Sequence, residues 1–284
     1  MITVTGATGH LGRLVIQSLL EKIPAKEVTA AVRDPDKAKD LADLGVQVRL
    51  ADYTRPATLK PAFTGTEKLL LISASDIGQR ARQHQAVIEA ALESGVDLMA
   101  YTSMLHADRS PLALSAEHKQ TEAALRRSGL PSVILRNGWY TENYTAGIPA
   151  ALEHGTLLGC AGEGRISSAA RADYAAAAAK VLLSDGQDGL VYELAGDGSF
   201  TMNDLAAEIS AQTGKDVVYK DMPEAQYREV LISAGLPEVL AKLLADSDRG
   251  ASQGGLYDDS GQLSRLIGRP TTTLKESIAA FLVS

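Results

Sequence analysis

MITVTGATGHLG, residues 1–12, sets an apolar, β-prone run against a frame with glycine at positions 6, 9 and 12. A strand that turns through glycine into a helix leaves free N–H groups and the positive helix end at one sheet edge. That edge is where doubly wound α/β sheets bind ligands, and glycine there lets the backbone approach a phosphate closely. The spacing is G-x-x-G-x-x-G, shifted by one from the usual dinucleotide frame G-x-G-x-x-G. The same residues would also serve a tight turn that only packs a helix on a strand. The residues that follow decide between a cradle and a turn.

Behind the frame, short β-branched runs at 2–5, 28–32, 46–50, 68–72, 98–102 and 132–135 alternate with helical patterns near 10–22, 36–43, 57–63, 79–94 and 115–128. This alternation predicts βαβ units, hence a doubly wound parallel sheet with helices on both faces. A strand before the frame and a helix after it favour the phosphate cradle. No G-x-x-x-x-G-K-[ST] occurs, which disfavours a triphosphate P-loop.

After residue 150 the pattern changes. An alanine-rich helix is expected over 171–185 and a strand at 191–194. A helix within 199–215 follows, with threonine at its N-cap and glycine at its end. Then come a strand at 217–219, two helices, a loop over 246–259 and a last helix over 273–282. The expected organisation is a nucleotide-binding domain over 1–150. Residues 151–284 form mainly a smaller mixed α/β substrate lobe, interleaved with the same sheet.

Composition narrows the function. Of 284 residues 45% are hydrophobic, enough for a substantial core, and no run approaches the roughly 18 apolar residues of a membrane helix. A first strand at residue 2 leaves no room for a leader, and one cysteine, Cys160, suits a reducing cytoplasm. The net charge of −7 argues against nucleic acid as a partner. Five scattered histidines and one cysteine give no metal-ligand spacing.

The second strand carries the cofactor test. An acid at its end takes two ribose hydroxyls in NAD sites, whereas an arginine there meets the 2′-phosphate of NADP. The sequence VTAAVRDPDKA, residues 28–38, places Arg33 there, with Asp34 next. A guanidinium binds phosphate through paired hydrogen bonds. At roughly 1.5–3 kcal/mol, such charge-assisted bonds favour NADPH on the order of ten- to a hundredfold. Asp34 on a ribose, or a solvated turn with Arg33 free, are the competing readings.

Five stretches in register now carry a resemblance: TGATGHLG (5–12), AVRDPDKA (31–38), LLLISAS (69–75), YTSMLHAD (101–108) and LRNGWYTENY (135–144). Together they resemble the NmrA-like, atypical short-chain dehydrogenase/reductase family, and within it the NADPH:quinone reductases, with triphenylmethane reductases nearby. The likeness runs through 168–182 and 245–259 to 266–277. It implies a Rossmann-like fold holding NADPH and no flavin. By motif, Gly6, Ala7, Thr8, Gly9, His10 and Leu11 would hold the pyrophosphate and Arg33 the 2′-phosphate. Ser73, Ala74 and Ser75 would line the central stretch of the cofactor. Asn137, Gly138, Trp139, Tyr140, Thr141 and Glu142 would wrap the nicotinamide end. Arg171 would contribute as well, or would cap the alanine-rich helix at the surface.

The usual Tyr-x-x-x-Lys acid–base pair is missing. Related reductases place a lysine four residues before the glutamate that is Glu122 here, and this chain has His118 there. Ser115 and Lys119 have the right separation, but serine cannot replace a phenol as proton donor near neutral pH. A quinone tolerates the deficit, because hydride transfer yields an aromatic hydroquinone anion that needs no strong protein acid. The protein must hold a flat acceptor against the nicotinamide and exclude water. Trp139 and Tyr140 would form a planar wall or belong to the core. Asn143 is the catalytic candidate, its amide stabilising a developing oxyanion, with a helix N-cap as the alternative. His106 is a weaker proton-donor candidate and His118 reads equally as a structural histidine. The expected partner is a small quinone, the expected state a monomer or homodimer. An NADP(H) sensor without turnover and a triphenylmethane reductase are the alternatives. Glycines within 249–259 suggest a lid.

Overall fold

The structure, a computed structural model, describes residues 1–283. Along the chain run β1 (Ile2–Thr5), α1 (His10–Leu20), β2 (Val28–Val32), α2 (Lys39–Asp43), β3 (Gln47–Leu50) and α3 (Leu59–Ala62). Then follow β4 (Lys68–Leu71), α4 (Arg80–Glu93), β5 (Leu98–Met104), α5 (Ser115–Ser128) and β6 (Ser132–Asn137). Next are α6 (Glu142–Thr145), α7 (Ile148–His154), β7 (Thr156–Gly159), α8 (Arg171–Leu183), β8 (Val191–Leu194), α9 (Met202–Thr213) and β9 (Val218–Asp221). Helices α10 (Glu224–Ser233), α11 (Glu238–Ser252), α12 (Gln262–Ile267) and α13 (Leu274–Leu282) complete the chain.

Seven strands form one sheet in the order β3-β2-β1-β4-β5-β6-β8. The pairings of β1 to β6 are all parallel, with Ile2 opposite both Val28 and Lys68. The chain order reverses between β1 and β4, which makes their carboxyl ends the switch point of a Rossmann-like sheet. Strands β1, β2 and β5 are buried on both faces, as crossover helices on each side require. On one face Leu69, Leu71, Met99 and Tyr101 join Phe63, Val87, Ile88 and Leu125 in one apolar cluster. The apolar stripe Leu11, Val15, Ile16 and Leu19 turns α1 inward, and small alanines let α8 pack closely beside it.

Two compact units interleave along the chain. The first comprises Met1–Met104, Ala116–Asn137 and Arg171–Tyr192; the second comprises Leu105–Ser115, Gly138–Ala170 and Glu193–Ser284. Residues 105–115 and 138–150 thus belong to the second unit and 171–192 to the first, because α8 packs with the sheet helices. In the second unit β7 and β9 form a small parallel sheet. Helices α9 and α13 each start at a reciprocal capping box, Thr201 with Asp204 and Thr273 with Glu276.

The structure differs from the sequence expectation in several places. The helix expected near 36–43 divides into a 3₁₀ turn, Pro35–Ala38, and α2; that near 57–63 divides into Pro56–Thr58 and α3. Proline begins each 3₁₀ turn, and its missing N–H suits a first turn. The loop expected over 246–259 is helix as far as Ser252, since Ala241, Ala245, Ser247, Gly250 and Ala251 give α11 a continuous buried stripe. A Cβ on Gly250 would meet Leu112 at 2.5 Å, and one on Gly255 would meet it at 2.7 Å. Those glycines therefore serve close packing, which removes the composition argument for a lid. No described helix is long and apolar enough to cross a membrane.

Candidate functional site

A cleft of about 350 Å³ opens at the switch point. Each wall comes from the carboxyl end of a strand: Gly6, Thr8 and Gly9 after β1, Arg33 after β2, residues 51–54 after β3, and residues 72–76 after β4. Gln83 of α4 closes the lining.

The glycine loop fits an anion. Gly6 lies in the left-handed region with φ +59°, and the Gly9 N–H donates to its carbonyl at 2.9 Å. Gly9 caps α1 with no side-chain acceptor, and the first turn contains no acidic residue. The first turn of this 11-residue helix therefore sets no carboxylate of its own against its N-terminal N–H groups. A Cβ on Gly12 would sit 2.5 Å from the Gly6 carbonyl oxygen and 2.7 Å from the Ala7 Cα, so glycine is required for helix and loop to close. Of the expected pyrophosphate residues, Gly6, Thr8 and Gly9 line the cleft, Ala7 and Leu11 are buried, and His10 is exposed outside the lining. Sequence reasoning missed Arg13. Its Nε donates to the Thr8 carbonyl at 3.3 Å and its Nη2 to the Lys37 carbonyl at 2.8 Å, while Nη1 pairs with Asp40. One side chain thereby ties the glycine loop to the β2–α2 connection.

Arg33 and Asp34 separate cleanly. The Asp34 Oδ1 accepts from the Asp36 N–H at 3.2 Å, capping its own 3₁₀ turn, and Oδ2 lies 3.6 Å from Lys37 Nζ. Arg33 lines the cleft and forms no hydrogen bond or ion pair with the described residues. Asp52, which follows β3 at the same sheet edge, was also missed. Burial raises its carboxyl pKa, but the Thr54 hydroxyl and N–H, with the Arg33 and Arg55 charges, more than offset this and hold it below the usual range.

The loop after β6 belongs to the second unit from Gly138 onward. Asn137 is the last residue of β6 rather than a loop residue, and its buried Oδ1 meets no hydrogen-bond donor among the described residues. The Ala169 N–H donates to the Trp139 carbonyl at 3.2 Å and the Thr141 N–H to the Ala169 carbonyl at 2.9 Å. The Thr141 and Ser168 hydroxyls lie 2.8 Å apart. This ladder fixes the backbone around Tyr140, and both Trp139 and Tyr140 are half-buried. Thr141 is the N-cap of α6, whose first residue is Glu142, so Asn143 is exposed within the first turn and is not the cap. Arg171 is the first residue of α8 and is half-buried.

The position that lacks the lysine is structural. His118 is buried with Nδ1 2.7 Å from the Tyr101 hydroxyl, and burial, then the Arg80 charge and His84, hold its pKa well below the usual value. Glu122 accepts from Arg136 Nε at 3.0 Å, from Nη2 at 2.8 Å and from the Ser103 hydroxyl at 2.7 Å. In the second unit His106 adopts φ +52°, with Nδ1 3.6 Å from Glu193 and Nε2 3.5 Å from Asp258. Its hydrogen bond with Glu193 raises its pKa.

A switch-point cleft with a glycine-lined anion cradle and an uncommitted arginine defines a dinucleotide-binding protein of the Rossmann-like class. The chain belongs to the NAD(P)H-binding family, which it matches over residues 6–185. It is 57% identical to quinone oxidoreductase 2 of Escherichia coli (strain K12) over 279 residues, 98% of each chain. The crystal structure of the E. coli NADPH-dependent quinone oxidoreductase complexed with NADPH superposes with a TM-score of 0.98, covering 99% of this chain and all of that one. Triphenylmethane reductase of Citrobacter sp., complexed with NADP(H), is 39% identical with a TM-score of 0.96, again over 99% and 100% of the two chains.

Proposed function

We propose that this protein is an NADPH-dependent oxidoreductase that reduces a quinone by direct hydride transfer, without flavin or metal. The observation that carries the cofactor choice is Arg33, uncommitted in the cleft while Asp34 is consumed by its own turn. The identity of 57% along nearly the whole chain supports a quinone as acceptor.

When bound, NADPH would supply the hydride, giving NADP⁺ and a hydroquinone anion that takes its proton from solvent. The chain binds, orients and excludes water. The cradle at Gly6–Leu11 would take the pyrophosphate, Arg33 the 2′-phosphate, and Ser73–Ser75 the central stretch. Residues 137–142 would hold the nicotinamide end, where the orphaned Asn137 Oδ1 suits an amide donor. Arg171 would add a charge contact. Asn143 would donate its side-chain amide N–H to the quinone oxygen that gains negative charge. The aromatic hydroquinone anion makes a strong acid unnecessary, consistent with a buried structural histidine at position 118. The single cysteine fits a reducing compartment such as the cytoplasm.

Steady-state kinetics of Asn143→Ala test the assignment. Turnover of a small quinone is expected to fall at least tenfold with NADPH affinity unchanged. Equal loss of both would assign Asn143 to the cofactor site or the fold instead.

A further inference from the structure

The segment that leaves β4 is held by buried polar groups of β5 and α4, which α5 backs in turn. The Ser73 N–H donates to Thr102 Oγ1 at 2.9 Å. The Ala74 N–H donates to His84 Nε2 at 2.9 Å, and Arg80 Nε donates to the Ala74 carbonyl at 2.8 Å. Both backbone polar groups of one cleft residue are therefore satisfied by two side chains one helical turn apart on α4. Behind them, His84 Nδ1 lies 3.0 Å from Thr121 Oγ1, and that hydroxyl donates to the Glu117 carbonyl at 3.0 Å. Arg80 Nη1 pairs with Glu117 Oε2 at 3.2 Å.

These contacts fix the imidazole's protons. Because Nε2 accepts from Ala74, it carries no proton, so Nδ1 carries the only one and donates it to Thr121. A doubly protonated ring could not accept, so the arrangement requires neutral His84. Burial, with the Arg80 charge, pushes its pKa down to about 3.

We propose that His84 is a positioning residue for the dinucleotide: it holds the Ser73–Ala74 peptide plane while Arg80 holds the Ala74–Ser75 plane, so that the neighbouring serines meet the cofactor. This rests on the reading of the cleft as the NADPH site. The Ala74 N–H is committed to His84, and its carbonyl accepts from Arg80 and, at 3.5 Å, from the Ser73 hydroxyl, so Ala74 offers a ligand chiefly its methyl surface. Polar groups along this wall come from Ser73, Ser75, Asp76 and Gln83. Without His84 the Ser73–Ala74 peptide loses its one side-chain anchor, and the cofactor would meet a loop that must be ordered on binding, which weakens affinity.

The test compares His84→Leu, which removes the acceptor, with His84→Gln, whose Oε1 can accept from Ala74. NADPH binding is titrated by fluorescence and amide hydrogen exchange is followed at Ala74. For His84→Leu the account expects NADPH Kd to rise tenfold or more and Ala74 exchange to accelerate. The increase should appear in the NADPH KM rather than in kcat. His84→Gln should restore Kd to within about threefold of the parent, and Thr121→Val should weaken binding by an intermediate factor. Where His84→Leu does not fold, the Gln and Val variants decide alone. Unchanged Kd in Thr121→Val and His84→Leu, or no rescue by Gln in a folded protein, would overturn the proposal. Failure of the unsubstituted protein to bind NADPH would instead overturn the reading of the cleft.

Discussion

Asp34 folds back on its own turn, its Oδ1 taking the Asp36 N–H, while the adjacent Arg33 lines the cleft with no hydrogen bond or ion pair among the described residues, its charge acting on Asp52. One sequence position thus separates a capping carboxylate from an anion-binding guanidinium. Arg33→Ala should raise the KM for NADPH on the order of ten- to a hundredfold, the worth of a charge-assisted phosphate contact. The KM for NADH should change less than threefold. Equal loss for both cofactors would remove Arg33 from the 2′-phosphate.

Gly12 tests the cradle without touching any charge. A methyl group there would lie 2.5 Å from the Gly6 carbonyl oxygen, and that backbone cannot give way without moving the loop. Gly12→Ala should destabilise the protein by about 1–3 kcal/mol, as overpacking does, and should weaken NADPH binding as well. Calorimetry and a cofactor titration on one preparation check both effects.

Much of this was legible in the sequence, for identifiable reasons. A parallel sheet buried on both faces leaves apolar runs: β1 and β2 are rich in β-branched residues, and β5 shows as a short run between a helix-ending Ser94-Gly95 and the next helical pattern. Glycine spacing gave the cradle because both φ and close approach select that residue. Asp52 and the lining after β3 stayed hidden because an acid after a strand reads as an ordinary turn. His84 stayed hidden for another reason: its role depends on a helix turn meeting a loop ten residues away, and no local pattern encodes that. The glycines near 250 misled because their packing against Leu112 is tertiary.

Glu122 is buried, with three hydrogen bonds from Arg136 and Ser103. Glu122→Ala would remove both hydrogen bonds between this carboxylate and the buried Arg136 guanidinium. Breaking a buried pair in this way costs roughly 3–5 kcal/mol. Denaturant unfolding should show a loss of that size, and a loss below about 1 kcal/mol would contradict the network.

Acid should destabilise the fold through its buried histidines. His84 is held near 3 and His118 well below its ordinary value, whereas both titrate near 6.5 when unfolded. The unfolded chain therefore binds more protons than the native one below pH 6.5. Their contribution is fully present above that pH and is lost progressively as pH falls from about 6.5 towards 3. Stability measured against pH should rise through this window, with a shallower slope in His84→Gln. An identical slope in that variant would mean that His84 is not held neutral.

Delivery of hydride from NADPH to a quinone in this cleft is read most directly from NADPH absorbance, with purified protein, no added flavin or metal, and a panel of small quinones. The account predicts multiple turnovers with at least one quinone, at a kcat/KM for NADPH at least tenfold above that for NADH. Tight NADPH binding without turnover across the panel would contradict it and would identify a dinucleotide sensor.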